Sequence, residues 1–558
     1  MSLNDVPESA APQKPPADKT VTTIQKRSRV ESIVVTILAL LTFVGFGYIA
    51  VMSFFETSVF EKSNIAMEVI QYAKDNLLLN LFFTVLFFVL LFRLRRHYDF
   101  FAKINLRVME VALVVWVLLL GLFWVISVTS VPAADSGMIY HTATQAAQGN
   151  YASMLNNDPT SPMADYYYNH SYYNYFPYQL SFVAFSELFY RIFGTGSSMP
   201  IQIFNVLTLS SAYYAVAKIA YLLFNRRSVE FITIIMLAGC LQPILFCTYV
   251  YGNIIGMSAA LWACLFLLKY FRSRRYVWLI PSALMLTLSV FVKYNNLIYL
   301  AAFVILLIVH AIREKKWQSI AFGVAVCILC VLVPSIPARV YEAKAQTQFE
   351  KGVPQICFLD MGLQDSSMAS GWYSKTAVDD YYYAGFDADT AAGIAKQNIG
   401  VRMSYLNSQP DMLLGFFNAK LLSQWNEPTY ESIWISQVKE HEHPVSDFVN
   451  NVYTGGTGQF LEVYFNFQMQ CLLLLFVVGI YLLFFTKKLS LETMLLPLVL
   501  LGALGYHLLF EAKSQYALTY IPLMIPTAAF ALNTILCGKY PHIKEIVGKI
   551  NAKVEQKN

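Results

Sequence analysis

Apolar runs long enough to cross a bilayer recur along most of this chain, and they constrain its fold more than any other feature. Crossing ~30 Å of hydrocarbon takes about 20 apolar residues. Runs of this kind stand at about 33–54, 77–92, 109–131, 201–224, 230–250, 254–271, 276–292, 296–312, 317–337, 465–486, 489–510 and 515–537, which predicts about twelve spans. With 57% of its 558 residues hydrophobic and only 13% charged, the chain lacks the charge that a soluble protein of this length needs on its surface. The expected fold is an all-α integral membrane protein, a multi-span helical bundle.

The basic residues set its expected orientation, because cytoplasmic loops carry an excess of Lys and Arg. Lys26, Arg27 and Arg29 precede the first run, and Arg93, Arg95, Arg96, Lys103 and Arg107 lie between the second and third. Arg226 and Arg227, then Arg272, Arg274 and Arg275, then Arg313, Lys315 and Lys316 follow later runs. Lys487 and Lys488, and finally Lys539, Lys544 and Lys549, complete the set. All fall on one side if both termini are cytoplasmic, so a multi-pass plasma-membrane protein with that topology is expected. The net charge of +5 is modest, and no nucleic-acid partner is expected.

This parity divides the chain. Residues 1–32 read as a disordered basic cytoplasmic tail without a signal peptide's apolar core. Residues 33–337 form a transmembrane region whose first outward loop, 132–200, holds an interfacial helix at 177–194; its Glu187 and Arg191 argue against a full span. A small α-rich outward-facing domain is expected at 338–464, a C-terminal transmembrane region at 465–537 and a cytoplasmic tail at 538–558. Within the outward domain Asp389 is the expected N-cap of one helix, and Pro410 opens another. The eight cysteines show no disulfide framework, and the Cys327–Cys330 pair reads as packing inside a span.

Ionisable residues gather at the outward ends of the spans. Asp135 follows the third run by four residues, Lys293 stands in VKYNN at a tight turn, and FEAKSQY places Glu511 and Lys513 in the last outward turn. Each has a plain alternative: Asp135 ends a helix, the lysines snorkel, and Glu511 is a solvated end residue. Together they suit transfer of a sugar from a polyprenyl phosphate. The leaving phosphate needs a fixed cation, here Lys513, Lys293 or both. The acceptor hydroxyl needs one base, Asp135, on the opposite face of the sugar, and displacement from behind inverts the anomeric centre. The loop DYYYNHSYYNYFPYQ, Asp165 to Gln179, offers rings and polar edges for sugars, or else an aromatic belt at the interface. Candidate sugar- or acceptor-binding residues are Tyr140, His141, Asp165, His170, Tyr175, Gln179, Asn295 and Glu511. Asp158 and Asp165 also read as solvating residues, and Asp379 with Asp380 as a surface turn. No cofactor is predicted; His141 and His170 lend a divalent metal only weak support.

A carboxylate just after a span, then an outward loop leading into YFPYQLSFVAFSELFYRIFG, resembles bacterial members of the GT-C glycosyltransferase superfamily, close to glycosyltransferase family 39 with its protein O-mannosyltransferases and aminoarabinose transferases. The resemblance spans about 111–536. It implies a catalytic role for Asp135, a family lysine at Lys293, and phosphate contact for Lys513 and Tyr516 in EAKSQYALTYIPLMIP. Two departures stand out: three spans precede the catalytic loop where the family usually has one, and Ser136 follows Asp135 where the protein O-mannosyltransferases carry an acidic pair. A membrane lipid or cell-surface polysaccharide is therefore the expected acceptor. A transporter or flippase of lipid-linked sugars is the competing reading. It explains twelve spans but not the large outward segments.

Overall fold

A computed structural model describes residues 28–62, 67–94 and 105–537. Most of both predicted tails, and with them Lys26, Arg27, Arg95, Arg96, Lys103, Lys539, Lys544 and Lys549, lies outside the described residues.

Every apolar run is a helix. Eight are long and apolar enough to cross a membrane alone: Arg29–Met52, Leu106–Val128, Met199–Phe224, Asn253–Ser273, Tyr294–Glu314, Gln318–Ala345, Gly456–Phe485 and Leu491–Leu509. Leu77–Arg93, Tyr276–Val292 and Ile521–Cys537 are shorter apolar helices. The remaining run is broken: Arg227–Gly239 and Gln242–Thr248 meet at 47°. Pro243 is the cause, since it has no N–H to give to the carbonyl four residues back, at Gly239. That freed carbonyl accepts instead from Tyr464 Oη at 2.8 Å and Gln468 Nε2 at 2.9 Å. A buried backbone acceptor in a membrane must find such partners, so the bend and the neighbouring helix fix one another.

The described basic connections gather at one end of the bundle. Arg313 reaches Glu31 at 3.1 Å, Glu314 at 3.0 Å and Glu492 at 3.3 Å, and Arg272 donates to Asn225 at 2.9 Å. Segments 132–200 and 338–464 build up the opposite end. Three corrections arise there. The helix expected after Asp389 is Ala388–Ser408, and Asp387 caps it, accepting from Thr390 N at 2.8 Å; an N-cap must precede the helix, and Asp389 is already in its first turn. Asp379 and Asp380 lie in the helix Thr376–Tyr383 rather than in a turn, and Asp379 accepts from Tyr168 at 2.8 Å. Asp158 is buried rather than solvated.

The tyrosines of the first segment form a core. Tyr167, Tyr172, Tyr173 and Tyr175 are almost fully buried and pack with Cys357, Met361 and Tyr381 from the second. Leu180–Phe193 is a helix whose Leu188, Ile192 and Phe193 are exposed while Glu187 turns inward to Arg191 and Tyr341. That arrangement suits a helix lying on an interface. Residues 337–338 and 464–465 fall inside Gln318–Ala345 and Gly456–Phe485, so the second segment is continuous with two spans.

One element leaves no mark in the apolar pattern of the sequence. Between the first two helices, Glu56–Phe60 and Ile70–Lys74 pair as an antiparallel hairpin with Glu56 opposite Lys74 and Phe60 opposite Ile70. Segment 338–464 holds it: Ser58 N–H donates to Asn426 O at 3.0 Å, and Ile70 N–H to Met368 O at 2.9 Å.

Candidate functional site

The helix Leu106–Val128 ends at Thr129, whose φ is +47°, and a new helix, Ala134–Ala147, starts at Ala134, whose φ is +50°. Two left-handed residues within six turn the chain sharply at the end of the span. Asp135 therefore opens a helix rather than terminating one. It stands in the first turn, where free N–H groups favour a carboxylate.

Two phenols hold the Asp135 carboxylate, one on each oxygen. Tyr167 Oη donates to Oδ1 at 3.3 Å, and Tyr251 Oη to Oδ2 at 3.4 Å. Gln179 Nε2 donates to Tyr251 Oη at 2.6 Å, and the Lys293 ammonium lies 3.8 Å from the centre of the Tyr251 ring. Burial raises the Asp135 pKa, while Lys513, Tyr167, Lys293 and Tyr251 resist the rise. The result is a carboxylate more basic than an exposed aspartate, with cations beside it.

The last turn completes the cluster. Lys513 forms an ion pair with Glu68, which the hairpin delivers. Burial lowers the Lys513 pKa, but Glu68, Glu431 and Glu511 together outweigh it and leave the ammonium above its usual range. Glu431 accepts from Ser514 Oγ and Gln515 N, both at 3.0 Å. Glu427 in turn accepts from Glu431 N at 2.9 Å. Lys439 donates to Ser136 Oγ at 3.3 Å and lies 4.4 Å from the centre of the Tyr249 ring. Burial lifts the carboxyls of Glu511 and Glu427 to about 7 and Glu431 to about 8, and draws Lys293 and Lys439 down to about 7. His507 stacks on Tyr516 at 5.1 Å and engages the Glu511 carbonyl at 2.8 Å.

Six sequence candidates thus fall in one cluster: Asp135, Lys293, Lys513, Glu511, Tyr516 and Gln179. Tyr175 stands behind it, its ring 5.4 Å from Tyr167 and its hydroxyl on the Tyr167 carbonyl at 3.3 Å. The others face elsewhere. Tyr140 packs on Tyr190 and reaches the Thr195 carbonyl at 3.4 Å. His141 contacts Gln145 at 3.0 Å and Thr160 at 3.3 Å. His170 packs on Phe386 at 4.7 Å, Asp165 is exposed on the loop, and Asn295 lies partly exposed in the turn beside Lys293. Tyr251, Tyr167, Glu68, Glu431 and Lys439 were not singled out in the sequence. Tyr251 and Tyr167 are members of tyrosine-rich stretches with nothing local to rank them, and Glu68 lies far from its partner in the chain. Among the described residues, no three metal-ligating side chains come together.

Residues 180–337 match the model of a family described as dolichyl-phosphate-mannose-protein mannosyltransferase. The resemblance read in the sequence is borne out over that stretch, which contains Tyr251 and Lys293, and the match supports a membrane glycosyltransferase of the GT-C type. Asp135 and Lys513 lie outside it and stand on geometry. No curated protein matches the chain.

Proposed function

We propose that this membrane glycosyltransferase moves a sugar from a polyprenyl-phosphate donor to a cell-envelope lipid or polysaccharide at the outer face of the membrane, with inversion at the anomeric carbon. The observation that carries the reading is a partly exposed Asp135, held by Tyr167 and Tyr251 with Lys293 and Lys513 as neighbouring cations. Asp135 takes the proton of the acceptor hydroxyl as its oxygen bonds to the anomeric carbon. The bond from that carbon to the phosphate oxygen breaks on the opposite face, and the phosphate leaves as an anion. Lys513 and Lys293 receive it, which removes any need for an acid on the leaving group. Glu68 pairs with Lys513; an arriving phosphate competes with that carboxylate for the ammonium. Tyr516, stacked on His507, borders the same phosphate, and Glu511 and Gln179 face the sugar.

The test is sugar release from radiolabelled polyprenyl-phosphate donors by purified wild type and Asp135→Asn, with a membrane-lipid extract as acceptor. A loss of about 100-fold or more matches removal of a general base. Full activity in the variant sinks Asp135 as the base. A donor left untouched by both proteins shifts the balance toward transport of lipid-linked sugars.

A further inference from the structure

Residues 439–442 run antiparallel to the turn that leads into the Asp135 helix. Val131 N–H donates to Glu440 O at 2.8 Å and Glu442 N–H to Thr129 O at 2.9 Å. Between these bonds Ser130 stands opposite His441, whose ring engages the Val128 carbonyl at 2.7 Å. Lys439, at one end of this strap, is thereby held over the first turn of Ala134–Ala147, where its ammonium donates to Ser136 Oγ at 3.3 Å.

A cation is costly in that place for two reasons. Lys439 is only 9% exposed, and the first turn is the positive end of a helix. Yet among the described residues no carboxylate pairs with it. Its contacts are the serine hydroxyl and the face of Tyr249, whose ring centre lies 4.4 Å from the ammonium. Lys513 differs, because it has a counter-ion in Glu68. A buried charge left without a counter-ion is strongly destabilising, and a native chain that keeps one has a use for it.

Lys439 belongs to the cluster around Asp135. Tyr249 packs on Tyr251 with ring centres 5.5 Å apart, and Tyr251 donates to Asp135 Oδ2 at 3.4 Å while Lys293 lies over its ring at 3.8 Å. The charges of Glu68 and Lys513 both reach Lys439. Lys293 likewise has no carboxylate in ion-pair contact among the described residues. The two packed tyrosines thus carry one unmatched cation each. Sugar transfer has a use for two. A polyprenyl-phosphate donor is a phosphodiester with one negative charge. As the bond from the anomeric carbon breaks, its electron pair stays on the phosphate oxygen, and the acceptor's proton goes to Asp135. The departing monoester then bears two charges. The second exists only from the transition state onward, so a cation that meets it lowers the barrier rather than tightening the donor.

We propose that Lys439 is a further phosphate ligand, and that it meets the second negative charge which the phosphate gains on leaving; this rests on the transferase reading. The strap then sets base and cation together, since the backbone pairing that fixes the turn before Asp135 also aims Lys439.

Equilibrium binding to the full chain in lipid nanodiscs reads this without turnover. The probes are a radiolabelled long-chain polyprenyl phosphate and its methyl phosphodiester. They are compared at about pH 7.5, where a phosphate monoester, with a second pKa of about 6, carries nearly two charges. Wild type is expected to hold the monoester more tightly than the diester. Lys439→Met and Lys439→Gln, of which the second keeps a donor for Ser136, are expected to lose about tenfold or more in monoester binding, as removal of a hydrogen bond between charged groups implies. Diester binding changes little, and Lys439→Arg keeps the preference. Thermal melting tells this role from a structural one: with a buried cation removed, Lys439→Met melts no lower than wild type. A wild type without preference for the monoester, variants that lose neither lipid, or variants that lose both and melt lower overturn the proposal and leave the donor reading standing. A wild type that binds neither lipid ends both.

Discussion

Lys293 carries its charge under strain. Burial draws its pKa down to about 7 against the pull of Asp135 and Glu511. The ammonium is therefore fully present well below 7, half present near it and lost as pH rises through that value. If this charge holds the donor phosphate, the donor KM climbs above pH 7, approaching about tenfold per pH unit where one protonation is required. Arginine stays charged throughout that range, so Lys293→Arg flattens the limb. Steady-state kinetics on both proteins decide it, and a limb unmoved in the variant assigns the titration to another group such as Glu511. At this scale the sequence was partly legible. Asp135, Lys293, Glu511 and Lys513 stood out because an ionisable residue at the end of an apolar run is costly to keep near lipid. Glu68 gave no such signal, since its value lies in a partner, Lys513, that only the folded chain brings near. His141, His170 and Tyr140 were attractive by residue type, and their contacts lead away from Asp135.

Elements position these groups through a few tight backbone approaches. Gly252, at φ +78°, joins the Tyr251 segment to the helix Asn253–Ser273, and a β-carbon there would collide with the Val292 carbonyl, next to Lys293. The absent side chain is what lets Tyr251 and Lys293 meet. Gly252→Ala adds a left-handed penalty of about 1–2 kcal/mol and forces the two segments apart. A shift of about 1 Å at a reacting centre costs roughly 100-fold in rate, so a large loss of transfer is expected. Gly385→Ala is the control. Its φ of +63° carries the same backbone penalty, with no atom within 4 Å of the added carbon and no place in the site. Thermal melting and sugar transfer on both variants separate the effects: both melt lower, and only Gly252→Ala loses activity. Equal activities would mean that the Tyr251–Lys293 contact is dispensable. The apolar runs marked helices at all twelve places, eight of them long enough to cross a membrane alone, because about 20 consecutive apolar residues have few other uses. The hairpin stayed hidden because its strands have five residues each and are anchored by residues 368 and 426, distances over which a local pattern carries no information.

At the scale of the whole molecule, segment 338–464 is part of the machine rather than an appendage. Trp372 is buried with its indole N–H on Ser423 Oγ at 2.8 Å, and Ala512 N–H, one residue before Lys513, donates to Gly371 O at 2.9 Å. Lys420 donates to the Phe510 carbonyl at 2.7 Å. The turn bearing the proposed phosphate ligand is thus clamped by this segment, which explains a mass that a simple carrier has no use for. The site lies at the bundle end opposite Arg313, Arg272 and their neighbours. Basic ends stay cytoplasmic, so the site should face outward, where a lipid-linked sugar already carried across the membrane would meet it. Single cysteines read this directly in intact cells with a membrane-impermeant maleimide. Lys396→Cys, exposed on the helix Ala388–Ser408, labels from outside; Ser273→Cys, exposed at the end of Asn253–Ser273, labels only after permeabilisation. The native thiols make a low background, six of the eight being buried. The reverse pattern would turn Asp135 and both lysines toward the cytoplasm and end the outer-face mechanism. The expected pattern leaves the proposed base and the cations together on the side where acceptors of the cell envelope are found.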